Sequence, residues 1–269
     1  MKDRTFVKKK VESSKKLPGD FVKKLLVFND LNSTNTVAKE LARTGAEEGT
    51  VVIARTQNHG RGRFERVWQS PEGGMYLSLI LRPKAPLEKA SLLSFVAALA
   101  VTRTIDAYGI HASIKWPNDV RVNGKKIAGI LLESEITGFV IDYAVVGIGI
   151  NLNIDLADLS SDIQSQSTSL SSLVNIPVDY HEFLKTFLEQ FGSLYSTFRN
   201  RQFDSIITEW KSRTDTLGKM IQVQTSTEML QGTAFDIDQL GFLLLRTGNG
   251  ELKKISSGDC QYLNELDHA

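Results

Sequence analysis

Between Gln57 and Gly74 the chain reads QNHGRGRFERVWQSPEGG, with Arg61, Arg63 and Arg66 set among Gly60, Gly62, Gly73 and Gly74. A stretch so polar cannot bury itself, yet apolar runs flank it on both sides. Guanidinium groups this close repel one another unless an anion lies between them. Glycine lets the backbone approach a ligand, and arginine forks grip phosphate or carboxylate oxygens. The chemistry that fits is an anion clamp; a solvated surface loop is the plain alternative. A dinucleotide fingerprint does not fit, because Glu65 stands where the third glycine belongs and bulky Arg61, Arg63 and Phe64 fill the variable positions. No G-x-x-x-x-G-K-[ST] phosphate loop occurs in the chain.

A second group lies in IKWPNDVRVNGKKIAGILLE. Lys115 ends an apolar strand, and Pro117 restricts Trp116 to extended backbone, so the strand stops there. Asn118 and Asp119 follow at the strand's exit. Lys126 comes after Asn123-Gly124, a pair that predicts a two-residue type I′ hairpin turn. A lysine at a strand end is often merely solvated; beside the arginine loop it is a candidate charge donor to the same anion.

The elements that must position these residues alternate along the chain. LLVF (25–28), TVVIA (50–54) and MYLSLILR (75–82) read as strands, and STNTVAKELART as a helix with Ser33 or Thr34 near its N-cap. LEKASLLSFVAALAVTRTIDAYG reads as a long helix apolar on most faces and therefore buried. FVIDYAVVGIGINLN is a further strand, and two amphipathic helices follow it. Near residue 215 the texture changes to short strands with no helix between them: KMIQVQT, MLQGTAFDID, GFLLLRT and ELKKISSG. That pattern predicts a small β-barrel. The expected organisation is a polar, lysine-rich tail over 1–24, an α+β unit of hairpin-linked strands packed with helices over 25–214, and the barrel over 215–269.

Composition sets the outer bounds. The 269 residues are 41% hydrophobic and 23% charged with net charge +1, so no global field draws the chain to nucleic acid or membrane. The single cysteine, Cys260, forbids an intrachain disulfide or a cysteine-rich zinc site and fits a reducing compartment. The longest uncharged apolar run, SLLSFVAALAVT, falls well short of the ~20 residues a membrane helix needs. The first residues, MKDRTFVKKKVESSKK, lack the apolar core of a secretory signal. A cytoplasmic protein is expected.

Five segments then occur in one order: STN, TQ..GRGR....W, KWPND, NGKKIAGILLE and GIGINLN. Together the set resembles biotin–protein ligase, over roughly residues 25 to 265. The resemblance implies a class II synthetase-like catalytic domain with a mixed or antiparallel sheet and a small C-terminal SH3-like β-barrel. It implies the single-function type, without the N-terminal DNA-binding domain of bifunctional members. Glu65 departs from the family's G-R-G-R-x-G-R pattern, which often carries a second glycine there.

The implied reaction joins biotin to the α-phosphate of ATP, forming biotinyl-5′-AMP, and then transfers biotin to a lysine of a biotin carboxyl carrier domain. ATP and biotin are the implied substrates, with Mg2+ carried by ATP and no dedicated protein metal site. By the resemblance, biotin is held by Ser33, Thr34, Asn35, Gln57, Arg61, Gly62, Arg63, Lys115 and Gly129. ATP contacts are expected from Arg61, Arg63, Arg66, Trp68, Lys115, Asn118, Lys126 and Asn151, and the catalytic charges are expected to be Lys115, Arg61 and Arg63. Pairing of sheet edges implies a homodimer. Two alternatives stand beside this reading. A lipoate or octanoate ligase or transferase would need a long apolar acyl pocket. A nucleic-acid-binding module would need basic and aromatic residues interleaved on the barrel, where Glu228, Asp236, Asp238, Glu251 and Asp259 stand instead.

Overall fold

A computed structural model describes residues 20–263. Its larger sheet has seven strands: β1 (Lys24–Leu31), β2 (Thr50–Gln57), β3 (Met75–Leu81), β4 (Ser113–Lys115), β5 (Asp119–Val122), β6 (Lys125–Thr137) and β7 (Val140–Ile150). Their order across the sheet is β1-β2-β3-β7-β6-β5-β4. Only β1 and β2 run parallel, joined by helix α1 (Thr34–Arg43); the other neighbours are antiparallel. The expected hairpin turn joins β5 to β6, with Asn123 and Gly124 both at positive φ, 51° and 79°, as a type I′ turn requires.

Strand alternation divides this sheet between two jobs. On β3, Met75, Leu77, Leu79 and Leu81 enter the main core, while Ile80 joins the smaller core under α1. On β7, Ala144, Val146, Ile148 and Ile150 enter the main core. Tyr143 and Val145 belong with α1, followed on the same face by Gly147 and Gly149. The main core is covered by α2 (Leu92–Asp106), α5 (Tyr180–Arg199) and α6 (Phe203–Arg213); two short helices, α3 (Ser161–Gln164) and α4 (Leu170–Val174), lie in the connection before α5. Every residue of α2 except Ser94, Arg103 and Asp106 is buried, as its apolar sequence requires.

The second sheet is antiparallel: β8 (Met220–Gln224), β9 (Met229–Ile237), β10 (Leu243–Arg246), β11 (Leu252–Ile255) and β12 (Asp259–Tyr262), in the order β11-β10-β9-β8-β12. Its inward residues, among them Ile221, Val223, Leu243 and Tyr262, are continuous with the main core. Trp116 ties the sheets together: its N–H donates to Thr216 Oγ1 (2.9 Å) and its Nε1–H to Gly241 O (3.2 Å).

Strand β12 is only four residues long, too little sequence to show its alternation of Cys260 and Tyr262. The basic segment expected over 1–24 lies outside the described residues up to position 19. Its last part is packed: Val22 is buried, and the Phe21 ring lies 5.5 Å from Phe191 and 5.3 Å from Tyr195.

Candidate active site

The α1 face of the sheet is left open where side chains vanish. Gly129 of β6 and Gly149 of β7 are register partners, and the Trp68 ring lies against them. A Cβ on Gly149 would come within 2.4 Å of Trp68 Nε1, and one on Gly129 within 2.9 Å of Trp68 Cζ3. A Cβ on Gly147 would strike Asn35 Oδ1 at 2.0 Å. These glycines make the floor of an open cleft of roughly 150 Å³. Trp68 Nε1 is buried there without a hydrogen-bond partner, a donor that a ligand acceptor could satisfy.

One end of the cleft is neutral and polar, at the start of α1. Ser33, Thr34 and Asn35 are buried at 3%, 4% and 3% exposure and all line the cleft. Ser33 occupies the N-cap but its hydroxyl makes no capping bond. The Thr34 N–H instead donates to Gln57 Oε1 of β2 (2.9 Å). Gln57 Nε2 in turn donates to Ser70 Oγ (2.9 Å). Gln57 therefore joins the helix start to the far end of the arginine loop. Ser78 Oγ, from β3, lies 2.8 Å from Thr34 Oγ1 and donates to Asn35 Oδ1 (2.6 Å). These groups are fixed by one another, with hydroxyl and amide atoms held in the cleft wall.

The other end is cationic. Lys126 reaches it because the β5–β6 ladder shifts register beside Arg121, and such a bulge re-aims side chains. Its Nζ lies 2.6 Å from Asp119 Oδ1 and 5.3 Å from the Trp68 ring centroid. The arginine loop closes over this end. Arg63 Nη1 donates to Gly258 O (3.0 Å) and Nη2 to Ser257 Oγ (2.6 Å), so the second sheet grips the loop. Arg66 makes a two-point contact with Asp259, at 3.0 and 2.5 Å. Burial lowers the pKa of Arg63, whereas the bond to Asp259 raises that of Arg66. Asn118 Nδ2 donates to Ile130 O (2.7 Å), holding the KWPND turn against the floor strand.

Glu133 links the two ends and was not singled out from sequence, because nothing in ILLE marks it from a solvated strand residue. It accepts from Asn35 Nδ2 (3.0 Å), Lys39 Nζ (2.8 Å) and Arg61 Nη2 (2.9 Å). Burial pushes its pKa up, but bonds from Lys39 and Asn35 and the Arg61 charge prevail, and the carboxyl sits below its ordinary value.

The cleft thus brings together Ser33, Thr34, Asn35, Gln57, Arg61, Gly62, Arg63, Arg66, Trp68, Asn118, Lys126 and Gly129. Two expected residues do not line it. Lys115 lies on the same sheet face as its cross-strand partner Asp119, which lines the cleft, but its Nζ sits 4.8 Å from the centroid of the Tyr262 ring of the second sheet. Asn151 is buried, and its Nδ2 donates to Thr168 O (3.1 Å), fastening the connection after β7. Among the described residues no cluster of three or more His, Cys, Asp or Glu could hold a metal ion.

Comparison with known proteins places this geometry in context. Residues 27–151 match the Biotin/lipoate A/B protein ligase family, and residues 216–262 match the Biotin protein ligase C terminal domain. The bifunctional ligase/repressor BirA of Bacillus subtilis is 40% identical over 239 residues, 88% of this chain and 73% of that protein. A biotin–[acetyl-CoA-carboxylase] ligase of Paracoccus denitrificans is 37% identical over 80% of this chain and 91% of its own length. The solved structure of a biotin protein ligase from Aquifex aeolicus in complex with biotin and ATP superposes with a TM-score of 0.76 at 29% identity, covering 89% of this chain and 98% of that one.

Proposed function

The chain belongs to the biotin/lipoate A/B protein ligase family, and from that premise we propose how its cleft works. The protein is an enzyme that uses ATP to activate biotin and transfers biotin to a carrier protein. A biotin carboxylate oxygen attacks the α-phosphorus of ATP, the bond to the bridging oxygen breaks, and pyrophosphate leaves with the electron pair. The carrier lysine, once it has lost a proton, attacks the acyl carbon; an amide bond forms and AMP departs with the acyl–oxygen pair.

The observation that carries the assignment of roles is the cleft's polarity: neutral donors and acceptors at one end, cations at the other. A ureido ring donates and accepts, which suits Ser33, Thr34 and Asn35. A carboxylate approaching a triphosphate is opposed by charge, which suits Arg61, Arg63, Arg66 and Lys126. Fixed cations in a site poor in water stabilise such charge far more than exposed ones. Lys126 lines the cleft and Lys115 stands beside its cationic end, on the face of Asp119; both ammonium groups serve the reacting oxygens. Trp68 offers its ring face and its unpartnered Nε1–H to the ligand. Mg2+ enters as part of the MgATP substrate, bound to phosphate oxygens.

The same reading takes residues 25–214 and 215–269 as two domains after an N-terminal segment over 1–24. It assigns a biotin-dependent carboxylase as partner, homodimer formation through a sheet edge, a cytoplasmic site, and no nucleic-acid or membrane partner. No helix among the described residues is long and apolar enough to cross a membrane. Biotin-dependent exchange of labelled pyrophosphate into ATP tests the activity. Exchange with lipoate or octanoate but not with biotin would overturn it.

A further inference from the structure

The arginine loop carries three side chains that this chemistry leaves unused. Phe64 and Val67 line the cleft, yet they are 54% and 70% exposed, which places them at its mouth. Glu65 between them is exposed as well. Its carboxylate enters none of the ion pairs among the described residues, whereas the acids in and beside the cleft are paired: Asp119 with Lys126, Asp259 with Arg66, Glu133 with Arg61. Phe64 and Glu65 stand consecutively at positive φ, 53° and 60°, a conformation that costs side-chain-bearing residues energy. Arg63 and Arg66, on either side, are anchored to Ser257, Gly258 and Asp259. The anchors hold the strained segment as a lip with an unpaired negative charge between two apolar groups.

We infer that this lip is the docking surface for the carrier protein, an inference that rests on the ligase reading above. A lysine reaches only as far as its four-carbon stem, so the carrier surface around the acceptor must come against the cleft mouth. The surface that complements the lip is an exposed lysine flanked by apolar side chains. Glu65 draws the ammonium in, and Phe64 and Val67 pack on its neighbours. Docking itself makes and breaks no bond, and the lysine leaves Glu65 as it enters the cleft and loses its proton to solvent.

The test separates docking from chemistry by using two nucleophiles. Biotinyl-AMP is formed on the enzyme, and its transfer is followed to a purified apo carrier domain and to hydroxylamine, which needs no docking surface. Glu65→Lys and the double variant Phe64→Ser/Val67→Ser should each lower kcat/KM for the carrier about tenfold or more, since rim charges and apolar contacts govern encounter and residence. In Glu65→Lys, adenylate formation and transfer to hydroxylamine should stay at parental rates; in the double variant, the ratio of carrier transfer to hydroxylamine transfer should fall. Raising salt should slow carrier transfer in the parent more than in Glu65→Gln. Parental kcat/KM for the carrier in both variants would overturn the inference, and so would an equal fall for both nucleophiles. A parent enzyme that forms no biotinyl-AMP would instead overturn the ligase reading, and this inference with it.

Discussion

A lysine's usefulness depends on what surrounds its ammonium. Lys126 faces Asp119 and the Trp68 ring inside the cleft, while Lys115, on the face of Asp119, has its Nζ over the Tyr262 ring. Lys126→Ala should therefore slow biotinyl-AMP formation strongly, because losing one pre-organised contact to developing charge costs roughly 3 kcal/mol, about a hundredfold in rate. Lys126→Arg should recover only part, since a planar fork does not reproduce a compact ammonium. Lys115→Ala should slow adenylation as well, since Lys115 shares the sheet face of Asp119 at the cationic end. Single-turnover adenylate formation beside a thermal melt decides: a Lys126→Ala protein that melts normally and reacts normally removes this residue from the mechanism. Glu133 gives a pH test. Its carboxyl is held below the ordinary value of 4.5 by Lys39, Asn35 and Arg61, against the opposing effect of burial. A depressed acid stabilises the fold above its unfolded pKa, and that contribution is lost as pH falls through the lower folded value. The parent should thus melt above Glu133→Gln at neutral pH, and the two should converge below pH 4.5; a gap independent of pH would show that charge at Glu133 is not what the fold uses.

At the scale of elements, the glycines of β6 and β7 decide whether there is a cleft at all. Gly149→Ala puts a methyl 2.4 Å from Trp68 Nε1 and 2.5 Å from Cε2, so the indole must lift from the floor. Overpacking of this kind typically costs about 1–3 kcal/mol. The expected result is a raised KM for the substrates, with loss of the indole's near-ultraviolet circular dichroism; an unchanged spectrum and KM would show that Trp68 does not need the floor. Much of this was legible beforehand. GRGR, KWPND and Asn123-Gly124 are local signals, in which residue type dictates backbone freedom or charge within a few positions. What escaped depends on register and on distant partners. That Lys126 enters the cleft is set by a bulge beside Arg121, since a one-residue shift reverses the face. Glu133 gathers partners from α1 and from the loop, 94, 98 and 72 residues away in sequence, and no local pattern encodes that.

Across the whole molecule, the second sheet holds the loop that the first sheet needs. Arg66 joins Asp259 at two points and Arg63 joins Ser257 and Gly258, at the start of the strand that pairs with β8. The contact does little for global stability: the Arg66 side chain is 63% exposed, and exposed pairs contribute at most about 1 kcal/mol. Its effect falls on the loop's freedom. A glycine-rich segment released at this end must be ordered by the ligand itself, and every immobilised residue weakens binding. Asp259→Ala should therefore melt close to the parent while its KM for ATP rises. A loss of roughly 1.4 kcal/mol would appear as a tenfold change. Amide hydrogen exchange across 57–74 should quicken in the free variant and be restored toward the parental level by biotin with a non-hydrolysable ATP analogue. Asp259→Glu, which keeps the charge, should recover part of the effect. An Asp259→Ala enzyme with parental KM and parental loop exchange would show that the second sheet supports the cleft by packing alone, and that the arginines need no outside hold to take up their positions.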